Sequence, residues 1–368
     1  MLEVLPGEVS AYEPVRAAAE AALKALPHVE RAQVVLTAEG GPPAAAHSHA
    51  GHDHAGHNHD HAPPPPAPGT FRVSRGAPQA GEPRRQGEPP RAPVQPLKPA
   101  HVGAVVAVAS GKGGVGKSTV AVNLACALAA LGYKVGLLDA DMYGPSAPLM
   151  LGKDDSPEQG EGKRLIPLEA WGVRFMSIGL LVNQAEAMIW RGPMAAQALG
   201  QLLTDVIWGT AESPLDILIV DMPPGTGDIQ LTLVQRTALA GAVLVSTPQE
   251  AALIDVRRGA AMFAKTATPI LGVVENMAYF PDPTTGAPIP IFGRGGAKAT
   301  AEQLGVPFLG EVPIDMALRE ACDTGRPIAA TAPDSVSGRA FIALAEQVAA
   351  RLASGDAGKP APRIVFED

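Results

Sequence analysis

Three short stretches collect residue types suited to phosphate chemistry. The first, Ser110-Gly-Lys-Gly-Gly-Val-Gly-Lys-Ser-Thr119, satisfies G-x-x-x-x-G-K-[ST] from Gly111 to Ser118. Gly111, Gly113, Gly114 and Gly116, with Val115 among them, let the backbone curl so that its N–H groups point at a polyphosphate. Lys117 then neutralises β- and γ-phosphate charge, and the Ser118 hydroxyl can ligate Mg²⁺. Thr119 leads into a helical pattern whose dipole favours an anion at its start. The second stretch is Asp139-Ala-Asp141-Met-Tyr-Gly-Pro-Ser146. Carboxylates two residues apart, Asp139 and Asp141, can flank Mg²⁺ and orient an attacking water. The third is Asp221-Met-Pro-Pro-Gly-Thr-Gly-Asp228, in which Asp221 ends an apolar run and can hold Mg²⁺. Gly225 and Gly227 leave that loop free to move and to place an N–H near a γ-phosphate. A nucleoside polyphosphate with Mg²⁺ is the expected ligand. Lys112 stands where a phosphate loop by itself needs no cation. On the residues alone, a solvated lysine and a lysine with its own task both stay open.

These residues have to be positioned by strands and helices. Buried-type apolar runs fall at Val105–Ala109, Val135–Leu138, Val173–Ile178, Ile217–Val220, Ala242–Val245, Ile270–Val274 and Phe308–Val312. Helical patterns fall at Val120–Leu131, Ala195–Trp208, Ala251–Lys265, Ala297–Leu304 and Gly338–Leu352. Apolar runs alternating with helices predict an α/β fold, a doubly wound and mainly parallel sheet. In such sheets ligands collect beyond the carboxyl ends of the strands. All three stretches follow strand ends.

This organisation predicts a P-loop ATPase domain over 101–353. Before it come a partial α/β segment at 1–40, with a helix at Pro14–Leu26 and a strand at Gln33–Thr37, and a linker at 41–100. The linker is rich in proline and is expected to be disordered; a loose tail occupies 354–368. Within the linker, His47, His49, His52, His54, His57, His59 and His61 form a low-complexity tract. Such imidazoles bind Zn²⁺, Ni²⁺ or Cu²⁺ loosely, and a plain linker and a metal store both remain open. The net charge of −8 gives no basic footprint for nucleic acid, and 4% aromatic residues give no base-stacking platform. No apolar run approaches a membrane span, and the first residues lack a signal-peptide pattern, so the chain is expected in the cytoplasm, away from membrane and nucleic acid. Two cysteines in 368 residues, Cys126 and Cys322, exclude a disulfide framework and any C-x-x-C site within the chain.

GKGGVGKST resembles the deviant P-loop of the MinD, ParA and nitrogenase-iron-protein class. With DADMYGPS and DMPPGTGD, and with WRGPM at 190–194, STPQEAALIDVRRG at 246–259 and IFGRGGA at 291–297, the chain resembles the Mrp family of iron–sulfur cluster carrier ATPases over 101–350. The 14–39 stretch is similar to the second half of a small domain that precedes many of these ATPases. The resemblance implies a homodimer that hydrolyses ATP and passes [4Fe–4S] clusters from scaffold proteins to recipient apoproteins. It implies that Lys112 acts across the dimer, that Lys117 and Ser118 bind phosphate and Mg²⁺, that Asp141 positions water and that Asp221 supports the metal. Asn276 and Pro313 would lie near the adenine; a turn-forming Asn276 is the competing reading.

One segment departs from the pattern. Most members continue past E-N-M to C-P-x-C-G, whose thiolates, two from each subunit, hold the cluster. Here Asp282 and Thr285 occupy the cysteine positions, while Pro283 and Gly286 match. Two other readings stand beside cluster transfer: a nucleotide-driven Ni or Zn insertion factor using the histidine tract, and a positioning ATPase of the MinD/ParA kind.

Overall fold

The computed structural model describes residues 2–3, 9–24, 36–37, 96–160, 162, 164–181 and 192–354. The histidine tract, nearly all of the 41–100 linker, Trp190 and Arg191, and the tail beyond Ser354 lie outside the described residues. The chain divides into two compact units, Met1–Gln86 and Gly87–Asp368.

In the first unit β1 (Leu2–Glu3) pairs in parallel with β2 (Leu36–Thr37), and α1 (Val9–Lys24) lies between them in sequence. Arg16 meets Glu13 and Glu20 at helical spacing on α1. The expected helix thus begins five residues earlier than Pro14, and only the end of the expected 33–37 strand is described.

The second unit is the predicted doubly wound sheet. Its elements begin with β3 (Val102–Ala109), α2 (Lys117–Ala130), β4 (Val135–Asp139), α3 (Ala147–Leu151), β5 (Leu168–Ala170) and β6 (Val173–Ser177). There follow α4 (Gly192–Asp205), β7 (Leu215–Asp221), α5 (Asp228–Arg236), β8 (Gly241–Ser246), α6 (Glu250–Lys265) and β9 (Ile270–Asn276). After the hairpin β10 (Phe280–Pro281) and β11 (Pro288–Ile289) come α7 (Gly296–Leu304), β12 (Phe308–Val312), α8 (Met316–Asp323), α9 (Ile328–Thr331) and α10 (Val336–Ser354). The strands of the 8-stranded sheet run in the order β12-β9-β8-β3-β7-β4-β6-β5. Every neighbouring pair is parallel except β5 with β6.

The strands read as unbroken apolar runs because both faces are covered. Val106, Val108, Ile217 and Ile219 point into one core with α2, α8, α9 and α10. Their neighbours Val105, Ala107, Leu218 and Val220 point into the other, with α4, α5, α6 and α7. Helix α2 is buried almost all round because it packs against the sheet on one side and against α9 and α10 on another. Its one buried amide is satisfied: Asn123 Nδ2 donates to the Thr119 carbonyl at 2.9 Å, and its Oδ1 accepts from Ala329 N at 3.1 Å. The bond from Ala329 fixes α2 against α9.

Several elements depart from the expected bounds. Helix α2 starts at Lys117 rather than Val120, because the left-handed Gly116 ends the loop and releases Lys117, Ser118 and Thr119 into the first turn. The predicted strand through Ile178 ends at Ser177 and passes into a 3₁₀ turn, Ile178–Leu180. Helices α3 and α5 and the short strand β5 add to the predicted elements. The sheet unit also reaches back past residue 101: Leu97 N donates to the Arg236 carbonyl at 2.6 Å, and Ala238 N returns a bond to Leu97 O at 2.9 Å. Among the described residues no helix is long and apolar enough to cross a membrane.

Candidate nucleotide site

Parallel pairing sends the carboxyl ends of β3, β4 and β7 to one edge, and the three expected stretches meet there. The turn from β3 to α2 takes left-handed backbone at Gly114 and Gly116, each with φ of +80°. At Gly116 a second demand applies, since a Cβ there would sit 2.1 Å from Asn276 Nδ2. The turn wraps a cleft of about 220 Å³ whose wall includes Lys112, Gly113, Gly114, Lys117, Ser118, Thr119 and Asp141, with Pro224 from the loop after β7. Helix α2 begins at this wall, so its first N–H groups face the cleft.

Lys117 is the electrostatic centre. It is only 6% exposed, and its Nζ lies 2.6 Å from Asp221 Oδ1, 3.8 Å from Asp141 Oδ2 and 3.2 Å from Ser118 Oγ. Asp221 is fully buried, and its second oxygen, Oδ2, has no partner. Burial raises the Asp221 carboxyl above the usual range, while the Lys117 ammonium pulls it back. Asp139 is directly opposite Asp221 across the β4–β7 pair. Burial and the Asp221 charge push its carboxyl up to about 7, against donors that favour the ion. One ammonium therefore serves two carboxylates, Asp221 and Asp141, with Asp139 behind them, and the site is short of positive charge. The orphaned Asp221 oxygen beside the Ser118 hydroxyl is the oxygen-rich, anionic setting that suits Mg²⁺.

The structure separates the two carboxylates of D-x-D. Asp141 lines the cleft and accepts from Gly144 N at 3.3 Å. Asp139, expected as a Mg²⁺ ligand, has both oxygens engaged elsewhere. Oδ1 accepts from Asp141 N at 3.1 Å, while Oδ2 accepts from Ser146 N and Ala147 N, each at 3.0 Å, and from Ser177 Oγ at 3.1 Å. Four donors hold it as the fastener of the Asp141–Ser146 turn and of the start of α3.

The loop after β7 is tied to the P-loop. Gly225, at φ of +97°, donates its N–H to the Ser110 carbonyl at 3.1 Å, and Ser110 Oγ donates to the Lys112 carbonyl at 2.9 Å. Gln230 Nε2 holds the Pro223 carbonyl at 3.2 Å. Lys112 is half-buried, and among the described residues no carboxylate lies within ion-pair distance of it. Asn276 ends β9 and donates from Nδ2 to the Val115 carbonyl at 2.8 Å, so it braces the P-loop. Pro313 follows β12, whose Val312 pairs with Asn276, which brings both expected adenine residues to neighbouring strand ends.

Some participants escaped the sequence reading: Ser177 as a partner of Asp139, Asn123 as the anchor of α2, and Glu275. The last is fully buried, and its two oxygens accept from Gly295 N and Ala297 N, each at 2.7 Å, holding the start of α7. A polar residue inside an apolar run was the only signal for any of them.

A phosphate cradle on a doubly wound sheet, with one lysine buried in an acidic nest and a second at the cleft rim, defines a nucleotide-binding P-loop NTPase of the two-lysine class. Residues 101–349 match the family described as ParA, NUBPL iron-transfer P-loop NTPase, and the chain belongs to that family. It is 50% identical over 263 residues to the iron–sulfur cluster carrier protein of Deinococcus radiodurans, covering 71% of this chain and 73% of that protein. It is 49% identical over 245 residues to the Arabidopsis thaliana iron–sulfur protein required for NADH dehydrogenase, mitochondrial, covering 66% and 77% respectively. Among solved structures it resembles a nucleotide-binding protein from Archaeoglobus fulgidus in complex with ADP. The TM-score is 0.55 and the identity 40%, over 62% of this chain and 88% of that one.

Proposed function

We propose that this chain is a homodimeric ATPase of iron–sulfur cluster assembly, which uses ATP binding and hydrolysis to close and open a complex that delivers clusters to apoproteins. The observation that carries the ATPase half is Lys117, held 2.6 Å from Asp221 at the mouth of the P-loop cleft beside the unpaired Asp221 oxygen. Arriving phosphates draw the Lys117 ammonium toward themselves and accept N–H bonds from the Gly113–Ser118 backbone. Ser118 and Asp221 would then hold Mg²⁺, which supplies the missing positive charge and draws off charge that develops on the transferring phosphoryl group. Asp141, on the cleft wall and free of the fastening duty that occupies Asp139, orients the attacking water. Asn276 and Pro313 border the adenine. Delivery of clusters is supported by relatives at about half identity that bear carrier names.

Lys112 completes the site in trans. It sits at the rim without a carboxylate partner among the described residues, so an anion on a second copy is its fitting counter-charge. The Gly225–Ser110 bond links this rim to the loop after β7, so a γ-phosphate that captures the Gly225 N–H would report nucleotide state to that face. Closure is favoured only to the extent that nucleotide binds the closed dimer better, with ~1.4 kcal/mol for each tenfold preference.

The test is ATP binding and turnover in two variants. Lys117→Ala is expected to lose binding. Lys112→Ala is expected to bind ATP and lose hydrolysis, and mixing it with Lys117→Ala should restore turnover, because the mixed dimer has one complete site. Undiminished turnover by Lys112→Ala, or no recovery from a mixture shown to exchange subunits, would defeat the in-trans assignment.

A further inference from the structure

The sulfur in this chain does not match an iron–sulfur cargo. A [4Fe–4S] cluster is held by four thiolates, and even the histidine-assisted [2Fe–2S] centres keep two. The chain has two cysteines. Cys126 lies within α2, is 1% exposed, and has its thiol pushed up to about 12 by burial. Cys322 on α8 is 8% exposed in the same core and is raised by burial as well. Neither is available as a surface thiolate, so two copies of the chain bring four thiols and no ligand. Among the described residues no group of three or more His, Cys, Asp or Glu is arranged to hold a metal ion.

The turn between β10 and β11 shows what stands in place of metal ligands. Asp282 Oδ1 accepts from Thr284 N and Thr285 N, both at 2.8 Å, and these N–H donors hold its carboxyl below the usual range. Its backbone N–H and carbonyl bond to Ala287 and Gly286, at 2.9 and 2.8 Å, and Thr285 Oγ1 accepts from Ala287 N at 3.2 Å. Residues three apart in such a turn suit a C-x-x-C pair. Here they are an ionised carboxylate already committed to backbone donors and a neutral hydroxyl, a hard oxygen set poorly matched to iron–sulfur sulfur chemistry. The turn closes on its own oxygens and needs no ion to hold it.

We infer that this chain holds no iron–sulfur cluster on its own side chains, and that any cluster it helps to move rides on the thiolates of a second, cysteine-bearing protein bound to it. The second clause rests on the cluster-assembly reading above. The nucleotide switch then acts on a cluster-loaded partner rather than on a cluster bridging two copies.

The test has two arms. In the first, the full chain and its Asp282→Cys/Thr285→Cys variant are reconstituted anaerobically with ferrous iron and sulfide, desalted, and assayed for iron, sulfide and visible absorption. The wild type is expected to retain no cluster, and iron without matching sulfide counts as histidine-bound metal. The variant is expected to gain up to one [4Fe–4S] cluster per two chains, with ATP binding unchanged. A stoichiometric cluster on the wild type would overturn the inference and leave the assembly reading standing. In the second arm, a four-cysteine donor loaded with [4Fe–4S] is mixed with an apo-ferredoxin recipient, with and without this chain and ATP. ATP-dependent acceleration by the wild type supports the partner-thiolate clause. No acceleration, with the wild type cluster-free in the first arm, would overturn that clause and the assembly reading, and leave the ligand clause intact.

Discussion

Alanine substitutions along the P-loop separate two reasons for glycine. Gly113 has no positive φ, and a Cβ there meets nothing within 4 Å. Gly114 has φ of +80° with the same open space, so Gly114→Ala carries only the left-handed backbone cost, ~1–2 kcal/mol. Gly116 shares that φ, but its Cβ would lie 2.1 Å from Asn276 Nδ2. Asn276 would have to withdraw, breaking its 2.8 Å bond to Val115 O and leaving buried polar groups unsatisfied, for a further ~1–3 kcal/mol. The expected order of loss in urea unfolding without nucleotide is therefore Gly113→Ala at ~0.5 kcal/mol or less, Gly114→Ala at ~1–2, and Gly116→Ala at ~2–5. Asn276→Ala removes the obstacle, so the Gly116→Ala/Asn276→Ala pair should cost at least ~1 kcal/mol less than the sum of the singles. The midpoint should move in each case without a change in slope. If Gly116→Ala is no worse than Gly114→Ala, or the pair is additive, then Asn276 is not what requires glycine at 116 and the proposed brace of the P-loop fails.

Two further outcomes follow from buried titratable groups. Asp139 holds its proton to about pH 7 in the folded chain against an ordinary value of 3.8, so between those values the folded state binds the extra proton. Stability from this group is fully present below about pH 4 and is lost as pH climbs through about 7, by at most ~4 kcal/mol at ~1.4 kcal/mol per pH unit. Urea midpoints measured without Mg²⁺ or nucleotide should fall from pH 5 to pH 8, and Asp139→Asn should flatten that slope; midpoints that rise would refute the assignment. Cys126 and Cys322 should both resist a thiol reagent at pH 8 in the folded chain and react fully in denaturant, because burial raises both thiols. Fast labelling of either without denaturant would show that the α2–α8 core opens.

How much was legible depended on how local the cause was. The β3–α2 turn declares itself because glycine, lysine and a hydroxyl at fixed spacing have few other uses together, and the strands declare themselves by being apolar on both faces. Asp139 shows where local reading stops. D-x-D presents two equal carboxylates, and only the β4–β7 pairing, the return of the chain at Ser146 and Ser177 on the next strand turn one of them into a fastener. Asn276 likewise reads as an adenine contact or a turn residue, while its bond to Val115 crosses the sheet and has no trace in spacing. Helix α5 went unseen because Ile229, Leu231 and Leu233 alternate with polar residues, a spacing of two that does not announce a helix.

The same distinction bears on function. The engine is legible because phosphate imposes the same geometry wherever it binds, so a short motif in its strand–loop–helix context is strong support. Cargo imposes ligand chemistry instead, and there the placement of the ligands decides more than a fold can. Two cysteines per chain would make four in a dimer, but both are buried in the core beside α2, and Asp282 closes its turn with the oxygens it has. A chain can therefore keep its family's motor at about half identity while the groups that touch the cargo follow a different chemistry. It is the sulfur inventory, more than the fold, that separates a carrier from the driver of one.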